Sequence, residues 1–354
     1  MNKTKVAVNG YGVIGKRVAD AVQLQPDMEL IGVADIITDW RIRSAAGRFP
    51  LFAATAEARD AMGQAGLSIS GGLDDLLAQA DVVVDATPKH VAAGNLPRYR
   101  AAGVKVILQG GESHDTTGHS FVAQANYDSA LGRDMTRVVS CNTTSIVRVL
   151  GALRDAGLLA KARGVLIRRA TDPWESHLGG IMNTMVPEPK IPSHQGPDAR
   201  TVLPDLDVVT IAAKGAHTQT HNHYWTLQLT RAASREEVLA ALRAAPRIAF
   251  IRMADGLVAL NSTIELMKDL GRPRGDMWEV AVWEELVTVD GDEAYLTYQV
   301  YNEAIVVPET IDAIRALTGS APDAVTSMTM TDSTLGMRQD FLAEHLPVMP
   351  GGQP

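Results

Sequence analysis

The stretch Lys5-Val6-Ala7-Val8-Asn9-Gly10-Tyr11-Gly12-Val13-Ile14-Gly15-Lys16-Arg17-Val18-Ala19 decides the fold. A short apolar run passes directly into G-x-G-x-x-G and then into a helical start, the order that a dinucleotide-binding turn requires. Gly10 would make the tight turn, Gly12 would let a pyrophosphate approach backbone amides, and Gly15 would permit close helix-to-strand packing. Twenty residues after Gly15, Asp35 ends the second strand-like run, where a carboxylate holds a ribose 2′-hydroxyl. That carboxylate would repel a 2′-phosphate, and no arginine follows it until Arg41, so the pattern favours NAD over NADP. The plainer reading of Asp35 is a residue that ends a strand and starts a turn.

Outward from this stretch, β-branched runs alternate with helical patterns through the first 140 residues, which predicts βαβ units around a parallel sheet. Strands are predicted at Lys5 to Asn9, Leu30 to Ala34, Asp81 to Thr87, Val104 to Gln109 and Arg137 to Ser140, with helices at Lys16 to Leu24, Leu73 to Gln79 and Ala92 to Ala102. Asp85-Ala86-Thr87-Pro88 and Gln109-Gly110-Gly111-Glu112 fall at the carboxyl edge of that sheet, where open α/β sheets bind ligands. Gly110 and Gly111 would let the nicotinamide half of a cofactor lie against backbone.

Beyond Cys141 the texture changes to a helix at Ser145 to Ala156 and longer strands at Val165 to Ala170, Val208 to Ala213 and His223 to Thr230. Ser234 and Glu237 stand in capping-box spacing before a helix at Arg235 to Ala245, and Met277 to Val289 and Glu293 to Asn302 flank Asp290-Gly291 as hairpin arms. The expected fold class is thus an α/β Rossmann dinucleotide-binding domain plus an α+β domain with a mostly antiparallel sheet. Residues 309 to 319 read as a helix and Pro347 to Pro354 as a loose tail.

A chain of 354 residues fits two domains, and its 33 basic against 41 acidic side chains give a formal net charge of −8. Nothing at that level favours nucleic acid or an anionic membrane surface. No run approaches the ~18 apolar residues of a membrane span, and the start leads into a strand instead of a signal peptide, so a cytoplasmic protein is expected. One cysteine excludes an intrachain disulfide and a cysteine-rich zinc site.

That cysteine, Cys141, lies in Val138-Val139-Ser140-Cys141-Asn142-Thr143-Thr144, between a strand and a helix whose first turn offers free amides and a positive dipole end. Both features favour a thiolate and an oxyanion beside it. Its proton acceptor is sought at His221 and His223, which share one face of a strand and are not separated by spacing alone. Only His217 is near in sequence as a further ligand, so no metal site is expected. Arg168 and Arg169 end an apolar strand as a candidate anion clamp, one of the two being free to serve as a structural ion pair.

With Val8 to Gly12, Asp85 to Pro88, Gln109 to Glu112, Val138 to Thr144, Arg168-Arg169, Pro192-Ser193-His194, Gly196-Pro197-Asp198 and Val280 to Glu284 in place, the chain resembles the archaeal-type (type II) phosphorylating glyceraldehyde-3-phosphate dehydrogenases. The resemblance runs from about residue 4 to residue 320. It implies an NAD-binding Rossmann domain over 1–140, a catalytic domain over 141–306, and a region 307–354 whose helix returns to the first domain before the tail. It implies Cys141 as nucleophile and His221 as base. Asn142, Thr143, Arg168, His194, Gln195 and Gly196 would meet substrate, and Gly10, Gly12, Val13, Ile14, Gly15, Asp35, Thr87, Gly111, Arg169 and Asn302 the cofactor. A phosphorylated aldehyde and inorganic phosphate are the implied substrates, with a homotetramer as the assembly. Asp35 stands where many relatives carry a lysine suited to NADP, Gln195 replaces a histidine of Ser-His-His-Gly, Ser176 to Thr184 lacks the Lys-Gly-Pro-Ile-Asn segment, and Tyr301-Asn302-Glu303-Ala304 replaces His-Gln-Glu-Ser. The alternatives are a dehydrogenase of another phosphorylated or phosphonate aldehyde, an acyl-phosphate reductase of the aspartate-semialdehyde type, and a non-catalytic NAD-binding sensor. The last has no need for a nucleophile and a base.

Overall fold

The structure, a computed structural model, describes residues 3–109, 111–174, 181 and 183–342. The chain forms two compact units, the first comprising Met1–Thr144, Asp198–Pro204 and Glu303–Gly336, the second Ser145–Pro197, Asp205–Asn302 and Met337–Pro354.

In the first unit, β1 (Thr4–Asn9), β2 (Met28–Asp35), β3 (Leu51–Ala53), β4 (Gly71–Gly72), β5 (Val82–Asp85), β6 (Lys105–Leu108), β7 (Ser120–Phe121) and β8 (Met135–Val138) form one sheet in the order β4-β3-β2-β1-β5-β6-β8-β7. Every pairing in it is parallel. The order reverses direction between β1 and β5, so their carboxyl ends flank the switch point where such sheets take ligands. Val6, Val8, Val82, Val83 and Val84 are wholly buried, as strands covered on both faces demand.

The helix Val306–Thr318 also belongs to this unit and is buried almost along its length. Gln109 donates to Thr310 Oγ1 (2.8 Å) and the Ala123 N–H to Glu309 Oε2 (2.6 Å), so even its polar residues face partners. A second helix, Ala324–Leu335, follows it. Its Ser-Thr-rich sequence gives no strong helical signal, yet Asp323 caps it and Ser327 and Thr331 donate to the buried Asp312 Oδ1 (2.6 Å each).

The second unit is built on β9 (Leu159–Arg168), β10 (Val186–Pro187), β11 (Val208–Lys214), β12 (Thr220–Leu229), β13 (Ile248–Ile251), β14 (Val280–Trp283), β15 (Thr288–Asp290) and β16 (Glu293–Tyr301). The order is β10-β11-β9-β12-β16-β14-β13, with β15 also on β16, and only β11–β9 and β13–β14 are parallel. The run read as one hairpin arm, Met277 to Val289, is broken at Glu284–Leu286 by a 3₁₀ turn into β14 and β15, both of which pair with β16. Asp290 faces Glu293 across a two-residue turn in which Gly291 has φ +61°. The capping box of Ser234 and Glu237 forms as its spacing predicts. Among the described residues no helix is long and apolar enough to cross a membrane.

Candidate active site

On the first unit Gly10 and Gly15 meet the steric demands expected of the glycine-rich turn. Gly10 sits at φ +94°, and a Cβ there would come 2.8 Å from the Ala86 carbonyl carbon; a Cβ on Gly15 would land 1.8 Å from the Gly10 oxygen. Around Gly12, by contrast, a Cβ would meet nothing within 4 Å. Gly12 caps the helix Val13–Gln23 without a side-chain partner, so the amides of Val13, Ile14 and Gly15 stand in the helix's first turn below open space. These residues fit the pyrophosphate of a dinucleotide.

Asp35 is almost fully buried, and its carboxylate accepts from the Tyr11 N–H (2.6 Å), the Ile36 N–H (2.6 Å) and the Ile37 N–H (3.2 Å). It therefore ends the strand and orders the glycine turn at once, with an acceptor position remaining on Oδ2 beside Tyr11. Thr87 donates its hydroxyl (2.5 Å) and its N–H (2.9 Å) to Asp85 Oδ1, while Asp85 Oδ2 accepts from Tyr99 (2.6 Å) and Asn95 (2.9 Å). That network holds the turn after β5 against Gly10. Gly111 donates its N–H to the Gln109 carbonyl (2.7 Å), and Gly110 lies outside the described residues.

Cys141 opens the helix Cys141–Asp155, four residues earlier than the sequence pattern predicts. The cause is Ser140, whose carbonyl accepts from the Thr144 N–H (2.8 Å) and whose Oγ accepts from the Thr143 N–H (3.3 Å), an N-cap that outweighs the poor helix propensity of Asn-Thr-Thr-Ser. The thiol is half-buried at the first helical position, and the side-chain amide of Asn142 donates to its Sγ at 3.7 Å. Thr143 is buried and donates its hydroxyl to Asp198 Oδ2 (2.8 Å), and Asp198 is in turn paired with the buried Arg137. Asp198, within a quoted block but given no role by the sequence, thus fixes the turn that carries Cys141.

On the second unit, His221 and His223 share the buried face of β12. His221 Nδ1 accepts from the Arg169 N–H (3.0 Å), and its Nε2 lies 3.0 Å from the side-chain amide of Asn302. With Nδ1 accepting, a neutral ring carries its proton on Nε2 and needs the amide oxygen there. Turned the other way, the same oxygen accepts from Arg169 Nε (2.9 Å) and Nη2 (3.3 Å) and the amide nitrogen faces Nε2. The Asn302 amide is therefore shared between the imidazole and the Arg169 guanidinium, which is also paired with Asp172 (2.9 Å). Burial, then the charges of His223, Arg169 and Arg168, hold His221 well below the ordinary histidine value. His223 stacks on Tyr298 with ring centroids 4.8 Å apart, bonds its hydroxyl through Nδ1 (2.9 Å), and is pushed down to about 3 by burial and by Arg168.

Arg168 points away from Arg169 and pairs with Glu188. His194 Nδ1 lies 3.3 Å from Glu188 Oε2, and Gln195 Nε2 donates to Glu188 Oε1 (3.4 Å). Three residues expected to meet substrate therefore converge on one carboxylate that the sequence reading passed over, while the Gly196 N–H donates to Thr210 Oγ1 (3.0 Å). Glu188 carried no signal, since it stands between Pro187 and Pro189 in what reads as a loop.

Comparison with known proteins follows the same division of the chain. Residues 140–285 match the family described as "Glyceraldehyde 3-phosphate dehydrogenase, C-terminal domain", and residues 4–143 match "Dihydrodipicolinate reductase, N-terminus". A protein of Methanococcoides burtonii named glyceraldehyde-3-phosphate dehydrogenase is 45% identical over 338 residues, 95% of this chain and 100% of the relative. One of the same name from Archaeoglobus fulgidus is 44% identical over 96% of this chain and 100% of its own length, and one from Pyrobaculum calidifontis is 48% identical over 90% and 93%.

Proposed function

Because the chain belongs to the glyceraldehyde-3-phosphate dehydrogenase family, we propose that it oxidises glyceraldehyde 3-phosphate, with inorganic phosphate, to an acyl phosphate through a thioester on Cys141. The observation that carries this reading is the chain's one cysteine at the first position of a helix, half-buried, with an amide donor on its sulfur. The thiolate attacks the aldehyde carbon, and the new oxyanion draws on the amides of the helix start. The oxyanion takes up the proton that the Cys141 thiol gave up on ionising, and His221 is assigned that proton as the carbonyl re-forms, a role that needs the Nδ1 lone pair released from the Arg169 N–H because Nε2 carries the proton of the neutral ring. The glycine turn at Gly10 to Gly15 would hold a nicotinamide dinucleotide, which would supply the acceptor for the hydride lost from the same carbon. Phosphate oxygen then attacks the thioester carbonyl, the C–S bond breaks, and the acyl phosphate departs with the thiolate restored. Arg168 is assigned to an anionic group of the substrates and Arg169 with Asn302 to the cofactor side.

NAD is the proposed cofactor, since Asp35 places a carboxylate beside the turn that receives the adenosine half. NADH formation is expected from glyceraldehyde 3-phosphate and NAD, in amounts that exceed one turnover only with phosphate present, and more slowly with NADP. Asp35→Asn keeps an acceptor for the Tyr11 N–H and removes the charge, so the NAD-to-NADP ratio of kcat/KM should fall by roughly tenfold, the order of one like-charge contact at a partly buried site. Multiple turnovers without phosphate would set the phosphorylating reaction aside, and an unchanged ratio the role of Asp35.

The proposed assembly is a homotetramer in the cytoplasm. Ile211, Val165 and Tyr224 lie side by side in register across β11, β9 and β12, each between 44% and 47% exposed, which leaves an apolar row on the open face of a sheet. Sedimentation equilibrium at micromolar concentration is expected to give four copies, and a monomer there would exclude the assembly.

A further inference from the structure

The chemistry around Glu188 goes beyond holding a loop. Its backbone is anchored, since β10 pairs with β11 and the Glu188 N–H donates to the Ala212 carbonyl (2.8 Å), so the carboxylate is presented from a fixed position. Its side chain and that of Arg168 are only 17% and 24% exposed. Burial pushes the Glu188 carboxyl up, and the Arg168 guanidinium and the His194 ring more than reverse this, so it remains an anion. Two further groups of the cluster are buried without a hydrogen-bond partner among the described residues: Arg168 Nε and Oε1 of the fully buried Gln195. A donor and an acceptor are thus left over around a carboxylate that already occupies the guanidinium.

We propose that Glu188 is a specificity-determining residue, a resident anion that an incoming phosphate must displace from Arg168 and that weakens the site for inorganic phosphate. This rests on the reading above that Arg168 meets an anionic group of the substrates. A carboxylate and a phosphate cannot share one fork of donors, and each repels the other at short range. The carboxylate in place leaves the guanidinium balanced and disfavours anions that bring only charge. An anion that also engages the leftover donor and acceptor of Arg168 and Gln195, as a protonated phosphate oxygen does, competes with it successfully.

The test is the KM for inorganic phosphate in the full-length enzyme at saturating aldehyde and NAD, with sulfate inhibition measured beside it. Glu188→Gln and Glu188→Ala are expected to lower the KM for phosphate roughly five- to tenfold and to tighten sulfate inhibition by a similar factor, the order expected when one like charge leaves a largely buried site. Glu188→Asp retains the charge and should stay nearer the wild type than either. An unchanged or raised KM for phosphate in both neutral variants overturns the proposal. Arg168→Gln separates this from the reading beneath it. If that variant raises the KM for phosphate while the neutral Glu188 variants do not lower it, Arg168 binds the anion and the competition is wrong. If Arg168→Gln leaves phosphate and aldehyde kinetics untouched, the assignment of Arg168 fails and the proposal falls with it.

Discussion

Cys141→Ser is expected to reduce turnover to background, a loss on the order of 10⁴-fold or more for the proposed covalent nucleophile, while NAD affinity stays within about twofold. The two halves of that expectation come from different parts of the chain. The cofactor contacts assigned here lie at Gly12 to Gly15, Asp35 and the turn after β5, whose geometry is set by Gly10, Asp85 and Tyr99 without the cysteine. Serine at 141 does not disturb the helix either, because the cap is Ser140 and its bonds run to Thr143 and Thr144. What is lost is the sulfur: a serine hydroxyl at that place is a far weaker nucleophile at neutral pH. NADH formation by the variant and its NAD binding by fluorescence titration give both numbers. Substantial turnover would remove the thioester from the mechanism; lost NAD binding would show that the residue is structural.

How much of this was legible beforehand differs from element to element. The glycine turn was readable in full, because Gly10 and Gly15 are each demanded by a separate steric contact, Gly12 stands before open space at the helix start, and the strand and helix around them carry different periodicities. The short strands β3, β4 and β7, of two or three residues each, were not, since such a run holds no alternation to detect. The helix Ala324–Leu335 was missed for a related reason: its stability comes from hydroxyls buried against Asp312, a tertiary contact that local propensity does not encode. The helix at Cys141 began early because one serine cap outweighed four residues of weak propensity.

Among the site residues, the ones with chemistry of their own announced themselves and the ones that hold them did not. Cys141, His221 and the arginine pair stand out by residue type. Asp198, Glu188 and Tyr298 are ordinary carboxylates and an ordinary tyrosine until the fold sets them against Thr143, Arg168 and His223. Asn302 was assigned to the cofactor by resemblance, and its contact with the His221 ring became visible only when β16 was paired in register with β12, which brings Tyr301 opposite Thr220.

The two histidines that spacing left open are expected to separate by rate and by stability. His221→Asn should lower the burst of NADH formed without phosphate by roughly 10²- to 10⁴-fold, the loss of general-base assistance. His223→Asn should leave most of that burst and instead cost about 1–3 kcal/mol of stability, since it strips a buried partner from Tyr298 and opens space beside it. The pH dependence gives an independent check. His221 is held well below its unfolded value of 6.5, so the ring is neutral in the folded protein at all pH values above that lowered pKa. As a base it is then available throughout the range from pH 8 to below 6.5, and the burst rate should stay level where a solvent-exposed histidine would lose half its basic form. The stability sign follows from the same shift: below pH 6.5 the unfolded chain binds protons that the folded His221 and His223 refuse, so stability falls as pH falls from 6.5 towards the folded values, about 3 for His223. A burst that halves near pH 6.5 in the wild type would mean that the titrating base is exposed, and therefore not His221. A burst lost in His223→Asn and kept in His221→Asn would move the base to the second histidine and leave Asn302 and Arg169 holding a purely structural ring.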